Sequence, residues 1–179
     1  MTRLIAVLST GLLTGLLPLA ASASPSAYAL SGGGGDHTTV LRASAIWHWD
    51  KRWFEAGDWH LTGYWEANAA VWNGHGDGGE TLVEAGASPV FRLRPNASGA
   101  FQPYWEFGVG ATLISRTHID DARAFGSHFQ FTEHVGFGVT FGEKTRYDVA
   151  YRLQHVSNAG IKEPNDGIDF HQIRLTYLY

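Results

Sequence analysis

From Thr39 onward the chain alternates almost from end to end, in segments separated by loops, between an apolar face and a face that carries ionised side chains. A period of two is that of a β-strand, so the repeat calls for strands and leaves no room for a helical domain. Between Thr39 and Trp49, Leu41, Ala43, Ala45, Trp47 and Trp49 oppose Val40, Arg42, Ser44, Ile46 and His48. The same alternation runs through 61–71, 81–93, 101–113, 129–141, 145–157 and 169–179. Its polar face includes Glu66, Glu84, Arg92, Glu106, Asp148, Arg152 and Arg174. Such a face in a dry protein core is costly unless its charges pair. Two architectures remain: a soluble sandwich or barrel with the polar face outward, and a closed barrel with charges paired inside and lipid outside.

The ends and the composition choose between them. Met1-Thr2-Arg3, the apolar run Leu4 to Leu19 and the small residues Ala21-Ser22-Ala23 have the order of a secretory leader. Ala27-Tyr28-Ala29 offers a second cleavage pattern, but cutting there would remove half of a needed first strand, so the reading is a signal peptide over 1–23 and a barrel over 24–179. No later run approaches the length of a spanning helix, about 18 apolar residues. The chain has no Cys, the usual staple of a small secreted soluble domain. Its 22 Gly, seven Trp, seven Tyr and ten Phe suit strands against a bilayer. A net charge of −4 without a basic stripe argues against nucleic acid as a partner.

Seven strands are legible, and single-chain outer-membrane barrels have an even number, with eight the smallest. The eighth is expected at roughly Ser24 to Gly32, with Gly32 to Gly35 as a flexible external turn. The predicted fold class is all-β: an eight-stranded antiparallel transmembrane β-barrel of the outer membrane. Short connections at 95–99 and 142–144 would face the periplasm, and longer ones at 73–80, 114–127 and 158–168 the exterior. The connection 50–60 is longer than a periplasmic turn should be.

Continuing the apolar face of 145–157 through Tyr147, Val149, Tyr151 and Leu153 reaches His155 and then Ser157. Extending that of the last strand backward from Ile173 reaches His171 and Asp169. A serine, an imidazole and a carboxylate are thereby expected on one lipid-facing patch near the external end. Taken singly, each is most simply a polar group in the headgroup zone, where its cost is small. Together they suit acyl transfer: Ser157 as nucleophile, His155 as general base, Asp169 as the group that orients the imidazole. Oxyanion donors are expected among the backbone of Asn158-Ala159-Gly160 and the side chain of Asn165.

The run from His155-Val156-Ser157-Asn158 to Pro164-Asn165-Asp166-Gly167-Ile168-Asp169 resembles the signature of the lipid A 3-O-deacylase family. Trp47-His48-Trp49-Asp50-Lys51-Arg52-Trp53 and Leu61-Thr62-Gly63-Tyr64-Trp65 are similar to it as well. The resemblance implies an integral outer-membrane esterase, its site toward the outer leaflet, that hydrolyses the 3-O-linked acyl chain of lipid A (lipopolysaccharide) with no metal or other cofactor. Membrane lipid would be its surroundings, and a homodimer is compatible with the sequence. The family pattern has Glu where this chain has Asp169, one methylene shorter, which leaves Glu163 and Asp166 as alternative acids. Two other functions fit an eight-stranded barrel: an acyltransferase, which needs an internal pocket to measure chain length, and a non-catalytic structural or adhesive barrel. His118, Asp120 and Asp121 could be read as metal ligands, but they lie in a loop where solvated side chains are the rule. Gly74-His75-Gly76-Asp77-Gly78-Gly79 precedes no helix and is no phosphate loop.

Overall fold

The computed structural model describes residues 24–55, 57–97 and 99–179, so the expected leader lies outside the described residues. Ten strands appear in chain order: β1 Ala27–Gly35, β2 Thr38–His48, β3 Trp59–Gly74, β4 Thr81–Pro95, β5 Phe101–Ile114, β6 His118–Asp120, β7 Arg123–Ala124, β8 Phe129–Phe141, β9 Tyr147–Ser157 and β10 Ile168–Leu178. Eight of them close into one antiparallel barrel, β1-β10-β9-β8-β5-β4-β3-β2, and β6 and β7 form a separate small hairpin. No helix among the described residues is long and apolar enough to cross a membrane.

The faces divide as the alternation requires. Leu41, Val83, Phe107, Leu113, Phe137 and Leu175 stand exposed on the outer wall. Arg42, Arg92, Arg152 and Arg174 are buried inside with Glu66, Glu84, Glu106 and Asp148. The lumen of an eight-stranded barrel is narrow enough for side chains to fill, and here they pair. Arg42 meets Glu84 at 2.7 Å, Arg92 meets Asp148 at 2.7 Å and Glu106 at 3.0 Å, and Arg152 meets Glu106 at 2.8 Å. Arg174 and Arg152 both reach Glu66 at 3.3 Å. At the end that carries the β5–β8 connection the filling turns apolar: Trp72, Leu82, Val156 and Phe170 pack with Ile119 and Phe125 from that connection.

Two segments depart from the sequence reading. Gly32 to Gly35 is strand, not turn, and β1 runs three residues further than expected at its C-terminal end. The turn falls on Asp36 and His37, both with positive φ. A β-carbon on Gly33 or Gly35 would overlap the carbonyl oxygens of His171 or Asp169 on β10, so the glycines let two backbones approach closely beside the candidate site. The 114–127 connection is also not an open loop. It holds the β6–β7 hairpin, whose Ile119 and Phe125 fill the barrel mouth.

The described residues of the long β2–β3 connection fold back on the barrel. Trp53 bridges Leu61, and Trp49 packs edge-on against Trp53, Trp65 and Phe91 with centroids 5.2–5.9 Å apart. An aromatic cluster of this kind belongs at a membrane–water interface.

Candidate active site

β9 and β10 pair antiparallel, and their register sets Asp169 directly opposite His155. Cross-strand partners on one face stand about 5 Å apart at their β-carbons, close enough for a short acid to reach an imidazole. It does: Asp169 Oδ1 lies 2.7 Å from His155 Nδ1. The imidazole Nδ1–H donates to the carboxylate, leaving Nε2 as the acceptor. The shorter acid therefore meets the ring. Of the two alternatives, Asp166 is engaged elsewhere, accepting the Ala124 N–H at 2.7 Å, and Glu163 is exposed in the loop.

Ser157 ends β9, two residues beyond His155 and on the same face. Gly167, the buried residue before β10, lies beside both, and no hydrogen bond joins Ser157 to His155 among the described residues. A β-carbon there would lie 3.0 Å from His155 Cε1, 3.4 Å from its Nε2 and 3.4 Å from Ser157 Cβ. Gly167 has φ +62°, a left-handed conformation that an L side chain adopts at a cost. The backbone at 167 thus forms the ceiling over the imidazole and the serine.

The β9–β10 connection is held from two sides. Asn158, fully buried, donates from Nδ2 to the carbonyls of Phe125 and Lys162, each at 2.6 Å. Its own N–H donates to Asn165 Oδ1 at 2.8 Å. Two of the four expected oxyanion donors are therefore bonded to each other. Ala159 and Gly160 lie in an exposed turn with φ 55° and 73°. Across the barrel mouth, Arg123 donates to the Gly167 carbonyl and pairs with Asp36 at 3.4 Å. Asp166 N–H returns to the Ala124 carbonyl at 3.2 Å. The hairpin absent from the sequence reading is thus the brace of the site.

Sequence reasoning also missed Glu133. It faces outward on β8 and sits opposite His155 in register, so the imidazole has a carboxylate on each neighbouring strand. The available signal was an acid at the third position of the otherwise apolar face Phe129, Phe131, Val135, Phe137. His171, one step below Asp169, shares a 2.5 Å hydrogen bond with Tyr151, so two polar groups on the outer wall satisfy each other. No group of three or more candidate metal ligands occurs among the described residues. Asp120 instead caps its own turn, accepting the Ala122 N–H at 3.0 Å.

A wall that is apolar outward, a lumen of paired charges and chemistry-bearing side chains turned to lipid define the class: an integral outer-membrane barrel enzyme. The comparisons agree. The family model for Lipid A 3-O-deacylase (PagL) matches residues 39–178. Lipid A deacylase PagL of Pseudomonas aeruginosa is 34% identical over 142 residues, 79% of each chain. The protein of the same name from Bordetella bronchiseptica is 39% identical over 116 residues, 65% of this chain and 58% of that one. A crystal structure of the outer membrane enzyme PagL superposes with a TM-score of 0.78 at 31% identity, covering 86% of this chain and 99% of the other. The chain belongs to the lipid A 3-O-deacylase family, a family of ester-hydrolysing enzymes.

Proposed function

We propose that this chain removes the 3-O-linked acyl chain of lipid A by a serine-esterase mechanism run on its lipid-facing wall, after a leader over residues 1–23 has directed it out of the cytoplasm. The observation that carries the reading is the 2.7 Å contact between His155 Nδ1 and Asp169 Oδ1, with Ser157 two residues along the same face of β9 and Gly167 beside both. Asp169 fixes the tautomer in which Nε2 is free to accept a proton. Ser157 Oγ attacks the ester carbonyl as its proton passes to Nε2. The tetrahedral intermediate then collapses, and the sugar oxygen departs with that proton, leaving an acyl-serine. Water, deprotonated by the same nitrogen, attacks the acyl carbon, and Ser157 Oγ recovers the proton as the fatty acid is released. General base catalysis of this kind contributes about 10²–10⁴-fold.

The oxyanion calls for donors already in position, each worth about 10²–10³-fold. The N–H groups of Ala159 and Gly160 and the Asn165 side-chain amide suit this role. Asn158 supports them through its bonds to Phe125, Lys162 and Asn165. A transferase that measures acyl length inside the barrel finds no support, since Arg42, Arg92, Arg152, Arg174 and their acids occupy the lumen.

Mass spectrometry of lipid A from cells expressing the wild type or Ser157→Ala tests the proposal. The expected result is loss of one 3-hydroxyacyl chain in the wild type alone. Unchanged lipid A around a folded, membrane-inserted wild-type protein would overturn it.

A further inference from the structure

The charges inside the barrel balance except at the periplasmic end. Arg42, Arg92, Arg152 and Arg174 face Glu66, Glu84, Glu106 and Asp148, whereas Arg94, half-buried near the end of β4, makes no ion pair among the described residues. Its one side-chain hydrogen bond goes from Nη2 to Thr140 Oγ1 at 2.7 Å, and its buried Nε has no partner. The guanidinium also lies 5.5 Å from the Tyr104 ring centroid. A half-buried cation with an orphaned donor is unfavourable unless an anion completes it.

There is room for one. Arg94 lines a cavity of about 350 Å³ with Arg52, His60, Asn96, Gln102 and Trp49. The wall is built rather than incidental. His60 is opposite Arg94 in register, and its Nδ1 is 2.8 Å from Asn96 Oδ1, which also accepts from Arg52 Nη2 at 3.3 Å. Asn96 N–H in turn ties the long 49–58 connection down through the Asp58 carbonyl at 2.7 Å. Arg52 is itself only loosely held, 3.8 Å from an exposed Glu55. Asp50 is the one carboxylate among the lining residues, against two arginines.

The height of the cavity indicates the ligand. Trp49 belongs both to its lining and to the aromatic cluster with Trp53, Trp65 and Phe91 on the outer wall. Beside it, Phe54 is 78% and Trp59 43% exposed, and Lys51 lies over the Trp53 ring. Exposed aromatics with neighbouring cations mark the headgroup level of a leaflet. Phe54 keeps a φ of 62°, an unfavourable backbone for an exposed phenylalanine that burial of its ring in lipid would offset.

We propose that this periplasmic pocket binds a phosphate group, and that its source is the phosphodiester headgroup of an inner-leaflet phospholipid. Arg94 and Arg52 take the phosphate oxygens, while Phe54 and Trp59 flank the acyl chains. The long periplasmic connection then has a purpose: it supplies the second arginine and the aromatic anchor. The pocket lies at the opposite end of the barrel from Ser157, so the proposal does not depend on the esterase reading.

Native mass spectrometry of the full-length mature barrel in uncharged detergent tests this, with phosphatidylglycerol, diacylglycerol of the same chains and inorganic phosphate as probes. The expected result is one retained phosphatidylglycerol per barrel, held in preference to diacylglycerol. Affinity should fall about tenfold in Arg94→Gln, the worth of one charge-assisted hydrogen bond, and again in Arg52→Gln. Arg94→Lys should retain most of the binding, and activity toward lipid A should be unchanged in all three. Inorganic phosphate that binds as tightly as the lipid, and is lost in Arg94→Gln, would retain the phosphate site but overturn the headgroup as its source. Equal retention of diacylglycerol and phosphatidylglycerol, or undiminished binding in a folded Arg94→Gln and in Arg52→Gln, would overturn the site itself.

Discussion

Replacing Gly167 by alanine separates two costs that usually arrive together. At φ +62° any L residue is strained by about 1–2 kcal/mol. Gly160, in the same connection at φ +73°, carries the same strain, but a β-carbon there would meet nothing within 4 Å. At Gly167 the new carbon stands 3.0 Å from His155 Cε1, inside ordinary van der Waals contact by several tenths of an ångström. The ring must give way, against the 2.7 Å bond that holds it to Asp169. A displacement of about 1 Å in a reacting group costs on the order of 100-fold, so a shift of part of that predicts a loss of roughly ten- to thirtyfold in kcat for Gly167→Ala. Gly160→Ala should lose thermal stability by a similar amount yet keep its turnover within about twofold, since backbone strain alone acts on stability. The assay is release of fatty acid from lipid A in mixed micelles, with heat-modifiable migration on gels confirming the barrel. Equal turnover in the two variants would refute the argument that Gly167 packs on His155 and Ser157 as the proposed reacting groups.

The same geometry predicts that Asp169→Asn lowers turnover at least about 100-fold by favouring the wrong imidazole tautomer, while Asp169→Glu stays within about tenfold because an acid still faces the ring; an active Asn variant would dismiss the carboxylate's role. Arg123→Met should free the Gly167 carbonyl and reduce kcat about tenfold, with partial rescue by lysine and no change in refolding yield; wild-type kinetics would remove the hairpin from the site. Arg42→Met leaves Glu84 with only the Trp72 indole N–H at 2.7 Å and should destabilise the barrel by about 3–5 kcal/mol. Urea unfolding in micelles measures that loss, and adding Glu84→Gln should recover most of it; a single variant as stable as the wild type would contradict the pairing.

Most of the barrel was legible because a narrow lumen forces charge inward and a bilayer forces apolar groups outward, so that Arg42, Glu84, Arg152 and their neighbours mark every second position. The pattern fails where side chains are missing. Gly32 to Gly35 has nothing to alternate, and its role in letting β1 approach β10 depends on a contact between distant segments. It also fails where elements are short. Ile119 and Phe125 are two apolar residues in a polar loop, and only the folded mouth shows them buried. At the site, the shared face of His155, Ser157 and Asp169 followed from period two. That Asp169 falls directly opposite His155 follows from the length and folding of the 158–167 connection, which periodicity does not encode. Glu133 and Arg123 reach the site from other strands, and no spacing along the chain connects them to it.

The outward direction of His155, Ser157 and Asp169 changes what concentration means for this chain. Substrate held in a leaflet does not arrive from solution; it arrives sideways, by diffusion in a plane, and meets a wall rather than a cleft. The governing quantity is then the fraction of the surrounding lipid that is substrate. Diluting that surface with inert lipid should slow turnover at constant bulk amount, and crowding the outer leaflet with substrate should leave the barrel permanently wetted by it. Regulation by access, through the packing of neighbouring lipids, needs no moving part in the protein itself.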